Sequence, residues 1–138
     1  MSYEFYIDRN LETVFIRHSG AMALDEALDQ IEKMLNSPLY IPGFNILRDT
    51  RSASLPAEWN YNWFREISPN RVGDKFLRLG RCHAAWVTNS GKDFRIAHQA
   101  SISDRLSSSI IQRQAFTDIS KALQWLDVPD DYKIIYPE

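Results

Sequence analysis

Near Gly20 the spacing of apolar residues changes, and no other feature of the chain constrains its fold as strongly. Up to that point, YEFYIDRNLETVFIRHSG (residues 3–20) places Phe5 and Ile7, then Val14 and Ile16, in period-two alternation around Asp8-Arg9-Asn10-Leu11. Such alternation lays one strand face on a core, so a β-hairpin with a polar turn is expected, with His18 continuing its second strand. From Leu24 the apolar residues recur every three or four positions, at Leu24, Ala27, Leu28, Ile31, Met34 and Leu35. They form one stripe of an amphipathic helix. Asp25 and Glu26 occupy the first turn, where the helix dipole favours carboxylates, and Asn36-Ser37-Pro38 ends the element.

The two periods then alternate along the chain. Residues 44–49 (FNILRD) have the length and apolar content of an interior strand that stops at Asp49, followed by a loop, TRSAS. Pro56 and Glu58 suit the start of a helix carrying Trp59, Trp63, Phe64 and Ile67, which Ser68-Pro69 should stop. After a polar stretch, residues 81–87 (RCHAAWV) read as a second interior strand. Ser90 and Asp93 form a capping pair for a helix on which Phe94, Ala97, His98 and Ile102 share a face. Residues 106–109 read as a linker and residues 110–116 as a last strand. Thr117 then caps a helix bearing Ile119, Ala122, Leu123 and Leu126, and a short tail runs from Tyr132 to Tyr136.

The predicted order is β-β-α-β-α-β-α-β-α. Parallel strands need crossover connections, so this order implies a single α/β domain with a mixed central sheet of about five strands flanked by about four helices. A chain of 138 residues leaves no room for two full domains. One Cys and three His exclude a disulfide framework and the multi-cysteine zinc patterns. The formal net charge of -2 gives no reason to expect a nucleic-acid partner. The polar, charged first 20 residues resemble neither a signal peptide nor a membrane span, so a cytoplasmic protein is expected.

The opening hairpin and helix, NILRDTRSA at 45–53, the strand before VTN and the closing FTDISKALQWL at 116–126 together resemble the SpoIIAA-like family of the STAS and SEC14-like structural group. The resemblance implies a non-enzymatic, bacterial, regulatory domain that binds a protein partner, as anti-sigma-factor antagonists do, or one that holds a lipid in the SEC14-like manner. In the antagonists an Asp-Ser-Ser-Gly loop carries a phosphorylated Ser at a helix N-terminus, where the added charge alters the partner surface. The corresponding residues here are Asp49, Thr50, Arg51 and Ser52. Asp49 and the Thr50 hydroxyl fit, whereas Arg51 and Ser52 replace the second Ser and the Gly. Thr50, Ser52 and Ser54 are the candidate phosphoacceptors, and capping and loop hydrogen bonds are their ordinary alternative role.

Other chemistry finds little support. VTNSGKDF at 87–94 has Gly91-Lys92 after a strand, but Trp86 stands where a phosphate loop needs its first Gly and Asp93 where it needs a hydroxyl. His18, His83 and His98 form no metal-binding spacing, and strand neighbours Cys82 and His83 point to opposite faces. The helix WNYNWFREI carries more rings than one core-facing stripe needs, so Trp59 and Trp63 are expected at a contact surface or lining a groove. Residues 1–64 hold 5 basic and 9 acidic groups, whereas residues 65–105 hold 8 and 4. Arg65, Arg71, Lys75, Arg78 and Arg81 thus form a candidate basic patch.

The expected function is partner binding through Asp49, Thr50, Arg51, Ser52, Trp59 and Trp63, with no catalysis, metal or cofactor of its own. Self-association is compatible with that reading. The alternative is a carrier of a small apolar molecule, held in a pocket beneath the aromatic helix.

Overall fold

Five strands form one sheet in the order β1-β2-β3-β4-β5, with β1 antiparallel to β2 and the remaining pairs parallel. The computed structural model describes residues 2–107 and 109–137. The elements are β1 (Ser2–Asp8), β2 (Thr13–Ala21), α1 (Leu24–Leu35), β3 (Asn45–Ser54), a π-helical turn (Trp63–Ile67), α2 (Ser68–Val72), α3 (Lys75–Leu79), β4 (Cys82–Val87), α4 (Gly91–Ser107), β5 (Ile111–Phe116) and α5 (Ile119–Trp125).

Strand alternation divides the core into two layers. Val14, Ile16, Ile46, Cys82, Ala84 and Ile111 face α1 and α3, while Trp86 and Ala115 on the same side meet Ile96, Ala97 and Ala100 of α4. The opposite face presents Phe15, Leu47, Ala85 and Val87 to Ala122 and Leu126 at the end of the chain. Tyr132 of the tail stacks on Phe15 at 5.2 Å between ring centroids and thereby covers the hairpin end of that face. The expected α/β domain with a mixed five-stranded sheet is therefore present, with the middle helical region split into short pieces.

Those pieces depart from the sequence expectation at three places. β3 does not stop at Asp49. It continues to Ser54, because β2 runs alongside it and pairs Ser19, Gly20 and Ala21 with Ser52, Ala53 and Ser54. The polar residues of TRSAS have low strand propensity, and an available ladder partner overrides it. The register shifts between Arg17 and Ser19, so that Thr50 and Arg51 together oppose His18 in a β-bulge.

The aromatic segment turns helical only after Trp59, and Pro69 does not stop it. A proline lacks the amide proton of an α-helical bond, and the π-helical turn just before it widens the ladder so that Ser68 N–H reaches the Trp63 carbonyl. The Asn70 side chain donates to the Glu66 carbonyl at 3.2 Å, and Gly73 N–H closes the turn onto the Pro69 carbonyl. Gly80 follows α3 with a φ of 73°, and a Cβ there would lie 3.0 Å from the Gly43 backbone nitrogen. Only glycine allows α3 to dock so closely.

The third departure is α4. Its buried residues are Asp93, Ile96, Ala97, Ala100, Ser101, Ser103 and Asp104, while Phe94 and His98 stack on each other at the helix margin. Small side chains let this helix lie close to the sheet, which moves the buried stripe off the larger apolar residues. The Ser90 hydroxyl caps the Asp93 amide at 3.1 Å as expected, and α4 runs on through Leu106 and Ser107. Ser108 of the expected linker lies outside the described residues. Asp118, not Thr117, caps α5 by accepting from Ser120 N–H at 2.8 Å.

Candidate functional site

A cavity of about 60 Å³ lies between the sheet, α1 and the aromatic segment, walled by Met22, Ala27, Trp59, Trp63, Phe64 and Trp86. It forms because Ala27 on α1 and Ala84 on β4 are too small to fill the space that the larger rings hold open. Trp59 and Trp63 stack at 4.8 Å with an 18° angle between their rings. On their far side a shallower recess of about 350 Å³ opens between the carboxyl ends of β2 and β3, lined by Ala21, Ser54, Pro56 and Glu58. Met22, Leu24 and the two tryptophans border both spaces, so they form the partition between cavity and surface. Ligands of open α/β sheets bind outside the carboxyl ends of the strands, which is where this recess lies.

Two arginines break the apolar lining, Arg48 on β3 and Arg113 on β5. Each occupies an inward position of its strand, in alternation with Ile46 and with Ile111 and Ala115. Arg113 is paired with a carboxylate. Its Nε and Nη2 donate to the two carboxylate oxygens of Asp104 at 2.9 and 2.8 Å, and its backbone N–H adds a third bond to Oδ2. The guanidinium also lies 5.1 Å from the Phe64 ring centroid and 5.8 Å from that of Trp86.

Arg48 is matched differently. Only 5% of it is exposed, and its Nη1 lies 2.6 Å from His18 Nε2 while Nη2 donates to Gln30 Oε1 at 3.2 Å. Burial, with the Arg48 charge as a smaller contribution, pulls the His18 imidazole down to about 3. The ring is therefore neutral near pH 7, with Nε2 accepting from Arg48 and the proton on Nδ1. Nδ1 lies 3.6 Å from Glu26 Oε1, beyond a good hydrogen bond, and both Glu26 oxygens are buried without a donor among the described residues. Desolvation raises the Glu26 carboxyl above its usual range. The contact between a neutral ring and this carboxyl is not an ion pair. Burial, and to a lesser extent the Arg113 charge, lowers Arg48 to about 10, so it still carries its charge at neutral pH.

The residues expected to form one surface fall into three environments. Trp59 and Trp63 are 4% and 8% exposed and belong to the cavity. Asp49 points to the opposite face of the sheet, where its carboxylate holds Arg51 through Nε and Nη2 at 3.0 and 2.9 Å. Thr50 is fully buried, and its hydroxyl donates to the Val87 carbonyl at 2.8 Å. Arg51, Ser52 and Ser54 are exposed. The Asp49-to-Ser52 segment is thus part of a bulged strand and not the expected loop.

The basic stretch is likewise dispersed. Arg71 meets Asp25, and Lys75 and Arg78 meet Glu32, so much of its charge is answered by the acidic face of α1. His83 stacks on Trp125, on the sheet face opposite His18. Cys82 is buried, and burial pushes its thiol up to about 11. No helix among the described residues is long and apolar enough to cross a membrane.

Sequence reasoning named Trp59 and Trp63 but passed over Arg48, Gln30, Asp104 and Arg113. The available signal was positional. Arg48 stands two residues from Ile46, and Arg113 alternates with Ile111 and Ala115, which places charged groups on the buried side of interior strands. No protein-family model matches the chain, and no curated protein matches it significantly.

Proposed function

We propose that this protein binds a small, largely apolar molecule in the cavity behind Trp59 and Trp63. What carries this reading is the burial of both tryptophans around an unfilled space that shares its wall with a recess at the surface. The cavity of about 60 Å³ is well below the roughly 300 Å³ usual for a small-molecule site, so the ligand is placed across the cavity and the adjoining recess of about 350 Å³, with Trp59 and Trp63 parted around it. The resemblance to the SEC14-like group supports it, and the π-helical turn in the wall is a feature frequent at functional sites. The test is an NMR titration with 2-phenylethanol, following the indole N–H resonances of Trp59, Trp63 and Trp86. Saturable shifts that disappear in Ala27→Leu, which fills the cavity, are expected. Absence of shifts, or equal shifts in Ala27→Leu, would overturn the reading.

A second reading, contact with protein, has its own observation. Leu77 is 72% exposed at the edge of a groove between α3 and α4, and Leu106 projects from the last turn of α4. Burial of that pair against a second copy of the chain is tested by sedimentation of the wild type and of Leu77→Asp. A concentration-dependent dimer lost in the variant supports it, and a monomer in both sinks it.

A further inference from the structure

A groove of about 290 Å³ lies between α2, α3 and the last turns of α4, close to the roughly 300 Å³ at which small-molecule sites begin. Small residues keep it open. Ser103 and Ser107 stand one turn apart on α4, where larger side chains would fill the space, and a Cβ at Gly73 would meet no atom within 4 Å. Phe64, Val72 and Phe76 supply the apolar wall. Three polar side chains in that wall have bonding capacity left over. Ser68 and Ser103 are 5% and 4% exposed, and among the described residues neither hydroxyl bonds to protein or is fully enclosed. Arg113 gives Nε and Nη2 to Asp104, which leaves the N–H groups of Nη1 without a protein acceptor among those residues. A guanidinium only donates, so its complement in the groove is an acceptor.

We propose that this groove binds a small neutral molecule that pairs an apolar ring with a carbonyl group. The ring lies against Phe64 and Phe76, and the carbonyl oxygen accepts from Arg113 Nη1 and from a serine hydroxyl. Charge selects the neutral form. Asp104 already neutralises Arg113, and its own carboxylate, 4% exposed, lines the same groove, so a second carboxylate is repelled where a neutral oxygen is not. The guanidinium is held in place for this role, because Asp104 grips it through two parallel bonds and the Phe64 and Phe76 ring centroids lie 5.1 and 5.6 Å from it. Phe64, Val72 and Phe76 separate the groove from the cavity behind Trp59 and Trp63, so this is a second site and does not depend on the reading above.

The experiment is an NMR titration of the full chain at neutral pH with acetophenone, ethylbenzene and benzoate, read at the Arg113 Nε–H and at the Gly73 and Ser103 amides. Acetophenone is expected to give saturable shifts at all three. It should bind about tenfold tighter than ethylbenzene, in which a methylene replaces the carbonyl, and tighter than benzoate. Ser103→Ala should cost acetophenone about fivefold and leave ethylbenzene unchanged. Equal binding of acetophenone and ethylbenzene, or tighter binding of benzoate, would overturn the ligand class. An unchanged affinity for acetophenone in Ser103→Ala would overturn the part given to that hydroxyl. Shifts confined to the Trp59 and Trp63 indoles would overturn the groove as a site and leave the cavity reading standing, and the absence of any shift would overturn the groove as well. The comparison of the three compounds on the wild-type protein decides the matter even where Ser103→Ala does not fold.

Discussion

His18 Nε2 and Arg48 Nη1 lie 2.6 Å apart inside the protein, and this contact adds to the burial that keeps the ring neutral. An imidazolium there would face a guanidinium across a hydrogen bond in a site that water does not reach. His18 is 0% exposed, so neither charge is screened. The ring must stay neutral, and folding is thereby linked to pH.

The sign of that linkage follows from the position of the folded-state value, about 3, below the ordinary value of 6.5. Between these limits the unfolded chain binds the proton and the folded chain does not, so stability rises with pH. The contribution is complete above about 6.5 and is lost as pH falls toward 3, with a slope of at most about 1.4 kcal/mol per pH unit. Glu26 acts in the opposite direction, because its raised value favours the folded state at low pH. Urea unfolding at pH 5 and pH 7 should show a larger loss on acidification for the wild type than for His18→Gln. Equal losses would mean that the ring is protonated in the folded state.

Asp104 and Arg113 form the best-matched buried ion pair in the structure, with side chains 4% and 10% exposed. Asp104→Asn leaves the guanidinium buried beside Trp86 without its counter-charge. A loss of about 3 to 5 kcal/mol is expected. Asp104→Leu combined with Arg113→Met should recover most of it, since apolar groups of similar size replace a buried pair at little cost. Denaturant unfolding of the single and double variants measures both effects, and additive losses would contradict this account of the pair.

Trp63 stacks on Trp59 and packs edge-on against Phe64 at 5.1 Å. Its truncation to Ala removes a buried ring from a wall that already borders a cavity. Stability should fall by about 3 to 5 kcal/mol with no change in the dependence on denaturant. A loss below about 1 kcal/mol would place the ring at a mobile surface instead.

Thr50 is one of three candidate phosphoacceptors on sequence, with Ser52 and Ser54, and it is the least accessible of them in the fold. Its hydroxyl satisfies the Val87 carbonyl between β3 and β4. Thr50→Val should cost about 1 kcal/mol, the net value of one hydrogen bond, with part of the penalty of a bare carbonyl added. Incubation with a broad-specificity serine/threonine kinase should leave Thr50 unlabelled in the folded protein and label it after unfolding. Labelling of the folded protein at Thr50 would restore the phospho-switch.

What the chain order determined by itself is the layered α/β architecture. Apolar spacing is a local property, so the hairpin, α1 and the interior strands are legible from Phe5, Ile7, Leu24, Ile31 and Ala84 without knowledge of their neighbours. The aromatic segment was also legible as unusual, since Trp59, Tyr61, Trp63 and Phe64 put rings around more of a helix than one stripe requires. Only the tertiary structure decided that β3 continues to Ser54, because its later residues are held by β2 and not by their own propensity. The site depends on the same kind of fact. Arg48, His18 and Gln30 come from two strands and a helix, up to 30 residues apart, and nothing in its own segment marks any of them as part of one cluster. Their meaning lies in a shared lack of water, and burial is a property of the assembled layers that no single segment carries.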